Sequence, residues 1–123
     1  MKKNYEFHGL QPVLPVMDVP ATLAYYKGKL GFDVDFVVGA PPTYVRVCRD
    51  DIRLRFVQVS DRSKIAPCGY MYIHIGLDLD NLCNDYRSMG VKVVMEPVSQ
   101  PWGLREFQIE DCNGYQWRFA CEV

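Results

Sequence analysis

Apolar and polar positions alternate with two different periods along this chain, and the order of those periods occurs twice. The first run, Leu10-Gln11-Pro12-Val13-Leu14-Pro15-Val16-Met17, is apolar and β-branched, which predicts a strand; its two prolines push it toward a sheet edge or an irregular strand. Asp18 follows as a helix N-cap, with Pro20 tolerated in the first turn. Leu23, Tyr26 and Leu30 then fall on one helical stripe, and Gly31 ends it. Gly28 inside that helix costs about 1 kcal/mol relative to Ala, so the helix must lean on its packing. Strand-like patterning returns over 32–38, 44–49 and 52–59, separated by Gly39-Ala40-Pro41-Pro42 and by Asp50-Asp51. The polar, proline-bearing segment 60–69 reads as a connector.

The same order then begins again. Residues 70–79 read as a strand, and Asn81 or Asp80 caps a helix with a Leu82, Tyr86 and Met89 stripe that Gly90 ends. Segments 91–97, 104–110 and 115–122 complete three more strands, the last two joined through Asp111-Cys112-Asn113-Gly114, whose Asn-Gly pair is a hairpin turn signal. An offset of 63 lays Leu14 on Leu77, Val16 on Leu79 and Leu54-Arg55-Phe56 on Trp117-Arg118-Phe119, whereas Leu30-Gly31-Phe32 meets Met89-Gly90-Val91 at an offset of 59. That difference of about one helical turn predicts a shorter second helix. The expected architecture is α+β: two tandem βαβββ modules, about 8–60 and 69–123, forming curved mixed sheets around a concave cleft within one domain spanning 5–123.

Strand parity divides the residues of these sheets. Leu14, Val16, Leu54, Phe56, Ile75, Leu77, Trp117 and Phe119 share the parity that a covering helix would bury. Gln11, Val13, Arg55, His74, Gly76 and Arg118 have the opposite parity and line a concave, partly polar groove, the place to look for function.

Composition narrows the classes. With 49% hydrophobic and 24% charged residues in 123, the chain has the makeup of a globular protein with a real core. A net charge of -1 and the lack of a basic stripe argue against a nucleic-acid partner. Prolines and charges break every apolar run before membrane-spanning length, and no export signal follows the opening lysines. The expected location is therefore the cytoplasm, with the five cysteines as reduced thiols rather than disulfides or a metal clip.

The stretches from Gln11 to Phe32 and His74 to Val91, and above all Pro101-Trp102-Gly103-Leu104-Arg105-Glu106-Phe107 with Asp111-Cys112-Asn113-Gly114, resemble the vicinal oxygen chelate superfamily. That group holds glyoxalases, bleomycin resistance proteins and dioxygenases; the chain looks most like its bleomycin-resistance branch. The resemblance implies that metal-dependent members draw four ligands from the positions matched here by Gln11, Arg55, His74 and Arg118.

Two of those four are guanidinium groups, which offer donors and no lone pair and stay charged at any physiological pH. A divalent cation beside two of them would be repelled while having lost two ligands, and Gln11 and His74 alone do not make a catalytic metal site. Only an inward turn of Asp35, Asp78 or Glu106 would change that count. The expectation is no metal, no cofactor and no catalytic residue. Arg55 and Arg118 either receive an anion from a ligand or pair with protein carboxylates.

The resemblance also gives Trp102 a place in the wall of the binding cleft, a role suited to a rigid aromatic on a loop; packing on its own hairpin or on a partner subunit is the other option. Tyr44 and Tyr72 can extend the aromatic wall. The functional expectation is a non-metal small-molecule-binding protein that sequesters a planar, partly anionic ligand through Gln11, Arg55, His74, Trp102 and Arg118, as in antibiotic resistance. Bleomycin is cationic, so the arginines argue against bleomycin itself as that ligand. Relatives close the cleft by two-fold dimerisation, often with strand exchange, which implies a homodimer here. The alternative function is a metal-dependent lyase, isomerase or dioxygenase of the same superfamily.

Overall fold

The fold was taken from a computed structural model that describes residues 4–123. The element order is β1 (Val13–Val16), α1 (Val19–Gly28), β2 (Asp33–Val38), β3 (Tyr44–Arg49), β4 (Ile52–Gln58), β5 (Met71–His74), α2 (Leu79–Ser88), β6 (Lys92–Ser99), β7 (Leu104–Glu110) and β8 (Gln116–Glu122), with one turn of 3-10 helix at Arg62–Lys64. Two four-stranded sheets run in the orders β1-β4-β3-β2 and β5-β8-β7-β6. In each, the first and last strands of a module pair in parallel and the rest antiparallel, so both sheets are mixed and the βαβββ unit occurs twice. Among the described residues, no helix is long and apolar enough to cross a membrane.

Asp18 caps α1 as expected, its Oδ1 accepting from the Ala21 N–H at 3.0 Å. The second helix departs from the sequence reading. Asp78, not Asn81 or Asp80, holds its N-cap position, at a left-handed φ of 71° and with no side-chain capping bond. Both helices have 10 residues, so α2 is not the shorter. Its buried stripe is Leu79, Cys83 and Tyr86, while Met89 is exposed.

Register explains why the offset of 63 misled. Val13 stands beside Arg55 on β4, and Tyr72 stands beside Arg118 on β8; β1 and β5 are thus related by 59 residues, although β4 and β8 are related by 63. The four extra residues of the second module enter after the helix, where β6 runs to 8 residues against 6 in β2 and breaks register twice against β7 rather than once, and where the β7–β8 connection at 111–115 is longer than the β3–β4 turn at 50–51. Leu77 therefore does not share the core parity of Leu14. It lies beyond the end of β5 and is 86% exposed.

The remaining apolar set packs as expected. Leu54, Phe56, Trp117 and Phe119 are buried under the helices, and one apolar cluster runs through both modules. Aromatic rings tie the halves: Tyr26 of α1 packs 4.8 Å from Phe56 and 6.3 Å from Trp117, and Phe32 packs 5.8 Å from Trp117. Each sheet therefore has one face closed by its helix and this core. The opposite, concave face is left open.

Candidate functional site

On the first sheet, alternation along β4 sends Leu54 and Phe56 to the core and Arg53, Arg55 and Val57 to the concave face. Gln11 lies in the extended segment before β1, and its Oε1 accepts from Arg55 Nε at 2.8 Å. Two of the four residues at the matched ligand positions thus lie in contact. The Arg55 guanidinium lies 5.7 Å from the Phe36 ring centroid and 5.9 Å from that of Tyr44, so its flat faces rest among aromatics. Arg46, directly across from Arg55, donates to Asp35 at 2.8 Å, and Arg53 lies 3.9 Å from the same carboxylate. The hydrogen bond from Arg46 holds the Asp35 carboxyl below its ordinary range. One acid thus serves two arginines, and Arg55 makes no ion pair among the described residues. This face carries an excess of positive charge.

The second sheet balances its charge internally. Arg118 lies on the concave face of β8, its guanidinium 4.1 Å from the Tyr70 ring centroid. Arg118 Nε donates to Gln108 Oε1 at 2.7 Å, Gln108 Nε2 to Gln116 Oε1 at 2.9 Å, and Gln116 Nε2 to Glu110 Oε1 at 2.9 Å. Lys92 Nζ closes the row on Glu110 at 3.0 Å. At the other end Arg118 Nη1 comes within 3.7 Å of Glu106 Oε1. Tyr70 therefore occupies the place beside Arg118 that Gln11 holds beside Arg55, the 59-residue offset again.

Glu106 is the residue that the sequence reading passed over except as a conditional metal ligand. It is fully buried at the middle of β7, alternating with Phe107 and Ile109 of the core and sharing the concave side with Gln108. Its Oε2 accepts from the Tyr72 hydroxyl and, at 3.0 Å, from Trp102 Nε1. The bond to Glu106 raises the Tyr72 pKa, since loss of the phenolic proton would set two anions together. Glu106 Oε1 has no hydrogen-bond partner and is the single buried side-chain polar atom left so among the described residues. The signal was present in the sequence as a charged residue inside a period-two apolar run.

Trp102 sits in the β6–β7 connection and is 60% exposed, so its ring is both tethered to Glu106 and available. His74 is displaced from its expected place. It stands beside Ala120, not Arg118, with its ring 5.3 Å from that of Tyr72. It also lines a cleft of about 600 Å³ between the β3–β4 turn and the β5–α2 connection, with Arg49, Asp50, Asp78 and Tyr86. A smaller cleft of about 320 Å³ lies between Pro15, Pro67, Tyr70 and Tyr115. Neither encloses Arg55 or Arg118, whose faces are open surfaces in a single chain.

Two guanidinium groups at the matched ligand positions do not fit a divalent cation, having no electron pair to give. No group of three or more His, Cys, Asp or Glu converges among the described residues. All five cysteines are free thiols in the described structure, Cys83 and Cys121 buried and Cys68 and Cys112 exposed.

The comparisons agree with this architecture. A family profile described as Glyoxalase/Bleomycin resistance protein/Dioxygenase superfamily matches residues 9–119. Among solved structures, the bleomycin-binding protein from bleomycin-producing Streptomyces verticillus, complexed with copper(II)-bleomycin, is similar at 26% identity and a TM-score of 0.75, covering 97% of this chain and 99% of that one. A bleomycin resistance determinant encoded on the transposon Tn5 is similar at 22% identity and a TM-score of 0.71, covering 94% and 98%. A glyoxalase/bleomycin resistance protein/dioxygenase from Nocardioides shares the fold at 17% identity and a TM-score of 0.72, covering 98% and 87%. No curated protein sequence matches the chain.

Proposed function

Because this chain belongs to the glyoxalase/bleomycin resistance protein/dioxygenase superfamily, we propose that it is a small-molecule-binding protein of the bleomycin-resistance kind that works without a metal and sequesters its guest in the cytoplasm. The guest is planar and carries an anionic part. It is held on the concave sheet faces where two copies of the chain meet.

Arg55 carries this reading. It is an arginine on an open face, steadied by Gln11, flanked by Phe36 and Tyr44, and free of any ion pair among the described residues. A carboxylate arriving there gains a charge-assisted, two-point hydrogen bond, while its aromatic body has rings to lie on. Arg118 contributes less to anion binding, because Glu106 and Gln108 already occupy it. His74, two residues beyond Tyr72 on β5, takes the edge of the site in this reading. The unpaired charge of Arg55 also disfavours a cationic drug at that end. A second copy is supported by the exposed apolar side chains of these faces and the N-terminal arm, among them Phe7, Leu10, Val13, Phe36, Tyr72 and Trp102.

The test is a titration with benzoate, followed by calorimetry, on wild type and Arg55→Ala, with light scattering to give the mass. Saturable binding lost in Arg55→Ala and a dimeric mass are expected. Unchanged benzoate affinity in the variant, a monomer, or a stoichiometric transition metal in protein purified without chelator would each count against the proposal.

A further inference from the structure

Buried polar atoms in folded proteins nearly always have a partner, so an unpartnered carboxylate oxygen needs a reason. Glu106 Oε1 is such an atom, in a side chain with no exposed surface. Its neighbours do not supply the missing bond. The Tyr72 hydroxyl and Trp102 Nε1 are both committed to Oε2. Arg118 is held at 3.7 Å from Oε1 by its bond to Gln108 and by the Tyr70 ring, which fix the guanidinium one step back. The free acceptor is thus on the side of the carboxylate that faces Arg118, the other oxygen being held by Tyr72 and Trp102.

The roof can open. Trp102 is 60% exposed, and Gly103 next to it has a φ of 90° that only glycine adopts freely. Turning the indole aside loses one hydrogen bond and little buried surface. Opening it uncovers a carboxylate with an acceptor to offer, next to the exposed ring of Tyr72.

We infer that the concave face of the second module is a donor-reading subsite, in which Glu106 Oε1 accepts a hydrogen bond from an uncharged N–H group of a flat heteroaromatic or lactam ring that lies against Tyr72 where the Trp102 indole has turned aside. The donor is uncharged because Arg118 already offsets the carboxylate, and a cation would meet that guanidinium at short range. This deepens the binding reading above: the guest is two-ended, with an N–H donor toward Glu106 and an anionic part toward Arg55. The leftover acceptor on the second sheet and the leftover cation on the first are complementary to such a molecule and to no purely anionic one.

Indole and 1-methylindole are the probes, since they share a ring and differ in the N–H. Wild type is expected to bind indole about tenfold or more tightly than 1-methylindole, the weight of a hydrogen bond to a charged acceptor. In Glu106→Gln the oxygen is retained for Tyr72 and Trp102, and the amide NH₂ faces the guest, so the preference should vanish. A measurement on wild type guards against a misfolded variant: the Trp102 indole N–H resonance should shift with indole and not with 1-methylindole. Equal affinities for the two probes in wild type, no saturable binding, or an unchanged preference in folded Glu106→Gln would overturn the inference. The benzoate titration on Arg55→Ala is independent. Loss of the benzoate result with the indole preference intact removes the anion site alone, and the reverse pattern removes the donor-reading subsite alone.

Discussion

The hydroxyl of Tyr26, on the helix of the first module, donates to the carboxylate of Asp111 in the last turn of the second, 85 residues along the chain. The same hydroxyl accepts from Trp117 Nε1 at 3.0 Å, and Asp111 Oδ1 accepts from the backbone N–H groups of Asn113 and Tyr115 at 2.8 and 2.9 Å. One buried oxygen thus joins the helix of one half to the β7–β8 hairpin of the other. Trimming it in Tyr26→Phe leaves a buried carboxylate oxygen and a buried indole N–H without their partner. The expected loss is about 1–3 kcal/mol, read as a lower urea midpoint with an unchanged slope.

Burial raises the Asp111 pKa above the ordinary 3.8, the hydrogen bonds from Tyr26, Asn113 and Tyr115 only partly opposing it. A carboxyl that holds its proton more tightly folded than unfolded stabilises the fold fully below 3.8, and that contribution is lost as pH rises through the folded value. Unfolding free energy measured at steps above pH 3.8 should carry this downward component in wild type. Asp111→Asn should lack it; equal pH slopes in the two proteins would contradict the assignment.

The two helix starts should respond in opposite ways. Asp18 caps α1 through its side chain, so Asp18→Ala should cost about 1 kcal/mol. Asp78 holds a left-handed φ of 71° without a capping bond, so Asp78→Gly should leave stability within about 0.5 kcal/mol of wild type. Thermal and urea melts of the two variants decide this.

Leu77 and Phe56 separate the offset read from sequence from the register adopted by the fold. Phe56→Ala empties a fully buried ring site and should cost about 3–5 kcal/mol. Leu77→Ser, at a position 86% exposed, should stay within about 0.5 kcal/mol. A large loss at Leu77 would restore the offset of 63 and with it His74 as the counterpart of Gln11.

The β3 and β7 strands end where their patterns end, at Tyr44–Arg49 and Leu104–Glu110, because alternation on a half-buried sheet is local information. The same holds for the capping of α1 by Asp18 and for the family motifs around Trp102. The α2 cap and the place of His74 were not legible. Both depend on where four extra residues are absorbed, which is settled across the second sheet, in part by the bulges of β6 against β7 and in part by the longer β7–β8 connection.

By itself the sequence determined the doubled βαβββ order, the core face of the central strands and the presence of arginines at the matched ligand positions, since each follows from residue type and a short period. Only the tertiary structure decided what those arginines face. Arg118 meets Glu106, Gln108 and Tyr70 while Arg55 keeps its charge unpaired, because partners in a sheet are chosen by register between strands distant in sequence, which no local pattern encodes.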